Sequence, residues 1–115
     1  MTELTWRGWR EDGETRVLMS AGNHWCNVPF YLDEVNHASE FNWGYNGSGP
    51  AQLAYAILRT YFELVYGFSP VEARFQAEKY HQKLKTDEVS RWGEWWGLSS
   101  IEIDLWLGGE KAGWL

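Results

Sequence analysis

The sequence predicts an α+β fold in which a small N-terminal antiparallel sheet packs with about three helices. Residues 1–45 contain short β-like runs separated by turn residues. The remaining chain places apolar residues at helical spacing between clear start and stop signals. A length of 115 residues fits a single domain, 1–115.

The N-terminal sheet is predicted from two extended runs and the turn between them. The runs are residues 4–7 and 15–19, and Asp12-Gly13 suits a tight hairpin because glycine tolerates positive φ. A third extended piece is expected at residues 25–28. Residues 28–45 lose periodicity and are predicted to form a structured loop.

Three helices are predicted at residues 50–66, 70–85 and 100–107. The first begins at Gly49-Pro50, and its apolar residues recur every three or four positions to give a buried face. The recurring apolar residues are Leu53, Ala54, Ile57, Leu58, Tyr61, Leu64 and Val65. Of these, Leu53, Ile57, Leu58 and Tyr61 are predicted to be buried. The opposite side is predicted to be polar and carries Gln52, Arg59, Thr60 and Glu63.

The second and third predicted helices begin with capping boxes. Ser69 can accept a hydrogen bond from the Glu72 amide while the Glu72 carboxylate reaches back to the Ser69 amide. Ser99 and Glu102 repeat this arrangement at the third helix. Gly108 is the predicted stop of that last helix, because glycine is favoured directly after a helix.

Composition narrows the classes of function. With 16 acidic and 10 basic side chains, the net charge of −6 disfavours binding of duplex nucleic acid. No apolar run approaches ~20 residues, so no membrane span is predicted, and nothing after Met1 resembles a signal peptide. Cys26 is the single cysteine, which indicates a reducing compartment. We therefore expect a cytoplasmic protein, with no cofactor suggested.

Nine tryptophans are unusual in so short a chain, and three of them cluster in residues 92–96. Trp92, Trp95 and Trp96 could fill the core or form an exposed patch. Core burial of at least two of them is favoured, because each indole offers ~150–250 Å² of surface to bury. An exposed remainder would be a candidate protein-contact patch, for a host partner or a homodimer.

One stretch carries a resemblance to a known family. Residues 36–54 read NHASEFNWGYNGSGPAQLA, and Trp96, Leu98, Ile103, Trp106 and Leu107 add a C-terminal match. This pattern resembles an uncharacterised domain family from bacterial, archaeal, phage and plasmid sequences, with the signature N-H-S-P, then F-x-W-G-Y-G-G-S-G-P-A-Q-L-A. Ala38-Ser39 and Asn46 depart from it. The resemblance implies the fold and the region of interest, without an activity.

Residues 44–52 form a glycine-rich loop that leads into a helix N-terminus. Such a place concentrates free N–H donors and can hold a phosphate or carboxylate. The candidate ligand-loop residues are His37, Trp43, Tyr45, Asn46, Ser48 and Gln52. The loop matches neither a Walker A nor a Rossmann pattern. The favoured alternative is that the glycines shape a tight turn over packed aromatic residues. Ligand binding would require an accessible Gln52, whose truncation would leave the melting temperature nearly unchanged.

The histidines give only weak signals for chemistry. His37 could act as an acid or base, but no nucleophile or paired carboxylate is identifiable beside it in the sequence, so a structural role is favoured. His24, Cys26, Asp33 and His37 match no familiar zinc spacing, and no metal site is predicted. His81 lies among lysines on the second helix and is predicted to be solvated.

Three classes of function remain open. The leading hypothesis is a small acidic intracellular protein of phage or mobile-element type that binds a protein partner, with inhibition of a host defence or regulatory complex as one form. A module that binds a nucleotide or other anion through residues 44–52 is the first alternative. The second is an unrecognised enzyme that uses His37. A non-enzymatic role is favoured.

Overall fold

Four antiparallel strands form the sheet in the computed structural model, which describes residues 3–112. The strands are β1 (Leu4–Glu11), β2 (Glu14–Ala21), β3 (His24–Asn27) and β4 (Trp95–Ser99), in the order β3-β2-β1-β4. Asp12 and Gly13 connect β1 to β2 with φ angles of 52° and 78°, which explains why this hairpin needs a glycine. The predicted N-terminal hairpin is thus present, with strands longer than the sequence indicated.

The fourth strand, β4, comes from the tryptophan-rich segment and was not predicted. It pairs with β1, and Gly8 lies opposite Trp96. A Cβ atom on Gly8 would lie 2.5 Å from the Trp96 ring, so the indole packs directly on the backbone of β1. The alternation of exposed Trp95, buried Trp96, exposed Gly97 and buried Leu98 is a strand pattern that the sequence already carried.

Three α-helices complete the α+β fold: α1 (Ser48–Leu64), α2 (Pro70–Asp87) and α3 (Ser100–Ala112). A short 3-10 turn at Val89–Arg91 follows α2. The predicted stop at Gly108 is wrong, because α3 continues to Ala112. Glycine inside a helix costs about 1 kcal/mol relative to alanine but does not end it. Within the described range 3–112, no helix combines the length and apolar character needed to cross a membrane.

Capping differs between α2 and α3. At α3 the box is complete, since Ser99 Oγ accepts from the Glu102 amide at 3.2 Å and Glu102 Oε1 accepts from the Ser99 amide at 3.0 Å. At α2 only the first half forms, with the Glu72 amide donating to Ser69 Oγ at 3.2 Å. The Glu72 carboxylate instead accepts from Gln76 one turn later.

Helix α1 is the centre of the core, because every residue from Gly49 to Phe62 is buried. The inner face of the sheet, α2 and the loop at residues 28–47 enclose it. Three of the polar residues predicted on the opposite side of α1 are buried as well: Gln52, Arg59 and Thr60. The Trp6 indole N–H donates to Thr60 Oγ1 at 3.0 Å, which joins β1 to the polar side of α1.

The fold predicts a large stability cost for truncation in the middle of α1. Ile57 is fully buried, so Ile57→Ala should destabilise the protein by about 2–5 kcal/mol in denaturant melts. Leu105→Ala on α3 is the control, because Leu105 is 75% exposed and its loss should cost less than about 0.5 kcal/mol. Equal costs for the two substitutions would contradict the assigned core.

Candidate functional site

The first candidate region is residues 36–54, which we call the signature segment. Its tryptophan, Trp43, lies in the core. Trp43 is fully buried, and its indole N–H donates to the Gly93 carbonyl at 2.7 Å. The Arg10 guanidinium lies 4.7 Å from the centre of a Trp43 ring and donates to the Trp43 carbonyl at 2.8 Å. Trp43 is therefore a packing residue between the sheet and the loop, with no free face for a ligand.

Two glycines of the signature are required by close contacts. Gly44 has a φ of +86°, and a Cβ atom there would lie 3.0 Å from the Trp92 carbonyl oxygen. A Cβ on Gly49 would lie 2.7 Å from Asn42 Cβ. Asn46 needs no such freedom, because the positive φ angles of non-glycine residues within 3–112 occur at Asp12 and Tyr31. These contacts support the alternative in which the glycines shape the turn.

Gln52 is fully buried and uses its amide group to hold the preceding loop. Its Oε1 accepts from the backbone amide of His37 at 2.8 Å and, at 3.4 Å, from that of Ala38. Its Nε2 donates to the carbonyls of Phe30 at 2.7 Å and Val35 at 3.1 Å. Gln52 therefore lacks the accessibility that ligand binding by the loop would require, because these four contacts use its donors and its acceptor inside the protein.

The other candidate ligand residues of the glycine-rich loop lie at the surface. Tyr45, Asn46 and Ser48 are exposed, and the Tyr45 ring lies over Gly47, where a Cβ atom would be 2.6 Å from it. A shallow cavity of about 270 Å³ borders this helix start, and the Glu40 carboxylate lines it. A carboxylate in the lining opposes an anion, so the geometry does not favour the ligand-loop hypothesis.

The structure brings His37 against His81, a contact that the sequence did not reveal. Their Nε2 atoms are 3.0 Å apart, and the Tyr55 ring meets His81 edge-on with ring centres 5.4 Å apart. The prediction that His81 is solvated is wrong, because its face of α2 packs on α1 and on the loop. Burial lowers the pKa of the His81 imidazole, and the neighbouring His37 lowers it further.

A buried ion pair joins the same loop to α1. Arg59 donates to both Glu34 oxygens, at 2.8 and 3.2 Å, and to Glu63 at 3.1 Å. The Tyr55 hydroxyl also donates to Glu34, at 2.7 Å. Burial alone would raise the pKa of Glu34, but the hydrogen bonds from Arg59 and Tyr55 outweigh it and hold that pKa below its ordinary value.

The candidate metal ligands considered from the sequence are not assembled. Across the part of the chain that the structure describes, no group of three or more His, Cys, Asp or Glu side chains could hold a metal ion. His24 and Cys26 lie on the edge strand β3, whereas Asp33 and His37 belong to the loop.

The tryptophans of residues 92–96 divide between the core and the surface. Trp96 is buried, stacks on the partly buried Trp92 with ring centres 4.1 Å apart, and meets Trp43 edge-on at 5.6 Å. Trp95 is 73% exposed. Of the candidate patch Trp92, Trp95 and Trp96, only Trp95 is exposed, because strand alternation turns successive side chains of β4 to opposite faces of the sheet.

Trp95 belongs to a different cluster, on the face of the sheet that points away from α1. It stacks on Trp9 with ring centres 5.8 Å apart and an angle of 14° between the rings. On the same face, the Arg7 guanidinium lies 4.0 Å from the centre of the Trp25 ring. We call these four residues, Arg7, Trp9, Trp25 and Trp95, the aromatic sheet face.

The clustering of Arg7, Trp9 and Trp25 with Trp95 at the surface was not predicted from the sequence. The two-residue spacing of Arg7 and Trp9 was a usable signal, since it places both on one side of a strand. Their approach to Trp25 and Trp95 depends on the register of β1 with β4 and of β2 with β3. That register was not readable from the sequence.

The Gln52 geometry predicts a folding defect on truncation. Gln52→Ala should destabilise the protein by at least about 2 kcal/mol, because unpaired buried groups cost ~1–3 kcal/mol each. Gln52→Glu should also destabilise, since it keeps an acceptor but loses both N–H donors. Asn46→Ala, at an exposed position of the same loop, should stay within about ±0.5 kcal/mol in the same denaturant melts. A neutral Gln52→Ala would contradict this role.

The Glu34–Arg59 pair predicts acid sensitivity. The folded-state pKa of Glu34 is lowered from 4.5, so its stabilisation is present above that value and lost as pH falls through the folded pKa. Glu34→Gln should therefore reduce stability at neutral pH and flatten its decline below pH 4.5 in pH-dependent denaturant melts. Glu40→Gln, at an exposed glutamate in the same loop, is the control and should retain the wild-type decline. An unchanged decline in Glu34→Gln would refute the coupling.

A match to a protein family extends over nearly the whole of this fold. A family model, described as a family of unknown function (DUF6166), matches residues 6–109. Neither the curated proteins nor the solved structures contain a significant match to the chain. The match extends from β1 to α3 and includes the signature loop, so the chain belongs to the DUF6166 family of unknown function.

Proposed function

We propose that the protein is a cytoplasmic protein-binding module and that the aromatic sheet face is its contact surface. The single observation that carries this proposal is the exposure of Trp95 and Trp25, which are 73% and 40% accessible and lie on one face of the sheet. Tryptophan and arginine are the residue types most enriched among those that dominate binding energy in protein interfaces.

The paired arrangement of these side chains suits binding. Trp9 and Trp95 stack on each other, and the Trp9 indole N–H donates to Glu11 at 3.3 Å. Stacking restrains the rings before a partner arrives, which reduces the conformational entropy lost on association. Exposed indoles also offer large apolar area to bury.

Arg7 indicates the chemistry of the partner. Among the residues that the structure describes, it forms no ion pair, and its guanidinium lies on the Trp25 ring. A cation held on an aromatic plane is positioned to bind a carboxylate. We therefore propose a partner that presents an acidic side chain beside apolar surface. The net charge of −6 supports a protein rather than a nucleic acid as this partner.

We propose that the partner belongs to a host defence or regulatory complex and that binding inhibits this complex. A domain of 115 residues can act by occupying a surface that another macromolecule needs. The signature resembles a family from bacterial, archaeal, phage and plasmid sequences, and the phage and plasmid members support a role in a mobile element.

The proposal predicts loss of binding without loss of folding. Tagged wild-type protein, Trp95→Ala and Arg7→Glu would be expressed in the native host, and retained proteins would be identified by mass spectrometry. The retained partner would then be purified for calorimetry. Each substitution should weaken its binding at least about tenfold, about 1.4 kcal/mol, with little change in the melting temperature. Leu105→Ala, at a 75% exposed apolar residue on α3, should bind like wild type.

Two outcomes would contradict the proposal. The first is a purified partner whose affinity is unchanged by Trp95→Ala and Arg7→Glu. The second is a homodimer, detected by light scattering, that Trp95→Ala dissociates, because the aromatic sheet face would then bind a second copy of this chain and not the separate host partner that we propose.

A further inference from the structure

We propose that His37 and His81 form a binding site for one divalent transition-metal ion of the zinc class, which would join the loop at residues 28–47 to α2. The two Nε2 atoms face each other at 3.0 Å, and the ring centres are 5.2 Å apart. This site is separate from the aromatic sheet face and does not depend on the proposed partner.

The hydrogen bonds of His81 fix which of its nitrogens can bind a metal. Its Nδ1 lies 3.1 Å from the Ala77 carbonyl oxygen and 3.0 Å from that of Glu78. Because carbonyl oxygens only accept, Nδ1 carries the proton in the neutral ring, and the lone pair is on Nε2. Histidine ligands of metals commonly donate their other ring N–H to a backbone carbonyl in this way.

The tautomer of His37 follows from that of His81. With a lone pair on His81 Nε2, the 3.0 Å contact is a hydrogen bond in which His37 Nε2–H is the donor. A metal ion between the two nitrogens replaces this shared proton. The proton passes through solvent to His37 Nδ1, so the ring stays neutral and no net proton is released. His37 is exposed, which gives both water and the ion access to the pair.

The distance between the nitrogens is close to what a tetrahedral ion needs. Two Zn–N bonds of ~2.0–2.1 Å at a tetrahedral angle place the nitrogens roughly 3.3–3.4 Å apart, a few tenths of an ångström more than in the pair. Each Zn–N bond would lie ~35° off the line between the two facing nitrogens, so the His37 ring must also turn toward the ion. His37 lies in a loop without helix or strand, and its exposed side chain can make this adjustment. Within residues 3–112 no cluster of three protein ligands exists, so water completes the coordination shell.

Imidazole pairs favour particular ions. Neutral imidazole nitrogen suits Zn²⁺, Cu²⁺ and Ni²⁺, whereas Mg²⁺ and Ca²⁺ require oxygen ligands. With only two protein ligands, we expect affinity in the micromolar range, below that of structural zinc centres with four ligands. The ion would replace one hydrogen bond between the loop and α2 with two coordinate bonds.

The experiment titrates Zn²⁺ alone into the metal-free full chain by calorimetry, with Mg²⁺ as the reference ion. The chain contains three histidines, so His24→Gln on the edge strand is a matched control outside the pair. Wild type and His24→Gln should bind one equivalent of Zn²⁺. His37→Gln and His81→Gln should weaken binding at least about tenfold, since even loss of an outer-shell partner costs ~10–100-fold.

A second measurement covers the case in which His81→Gln does not fold. Zn²⁺ should raise the melting temperature of wild type and of His24→Gln in a concentration-dependent way, because the site exists only in the folded chain. Zn²⁺ should leave the melting temperature of His37→Gln unchanged. This variant is expected to fold, because the His37 side chain is exposed. The proposal is overturned by absent zinc binding, by undiminished binding in His37→Gln, or by an equal loss in His24→Gln.

Discussion

Burial of α1 on all sides is the constraint on which the rest of the structure depends. An enclosed helix that carries Gln52, Arg59 and Thr60 must satisfy each polar group from within the protein, because an unpaired buried polar group is costly. The partners come from three different places: loop backbone for Gln52, the Glu34 carboxylate for Arg59, and the Trp6 indole for Thr60. These hydrogen bonds fix the loop and the sheet relative to α1, so the polar groups help to specify the arrangement of the fold.

This constraint also explains the role of the aromatic and glycine-rich residues within residues 36–54. Trp43 is held by Gly93 and Arg10, Gly44 passes close to Trp92, and Gln52 binds the loop from inside. These signature residues are therefore occupied with folding. The two places for which we propose a function are the face of the sheet that points away from α1 and the contact of His81 with His37, a residue that itself belongs to residues 36–54. A motif shared by a family can mark its fold rather than its chemistry.

The tryptophans show how one residue type takes two roles in this chain. Trp43, Trp92 and Trp96 pack together at one end of the core, where Gly8 leaves room for the Trp96 ring. Trp9 on β1 and Trp95 on β4 stack on each other on the opposite face of the sheet, which points away from α1. Adjacent residues 95 and 96 belong to opposite groups because consecutive side chains of a strand point to opposite faces. The tryptophan content therefore serves both the core and the proposed contact surface.

The sequence by itself determined the α+β class, the first hairpin, the starts of the helices and the aromatic signature loop, because these depend on turn residues, caps and periodicity within short stretches. Only the tertiary structure decided that β4 joins the sheet, that the polar side of α1 is buried, and that His81 meets His37 across 44 positions of chain. Strand register and the burial of α1 are set by contacts between segments that are distant in the sequence. A local sequence pattern does not specify which distant segment packs on it.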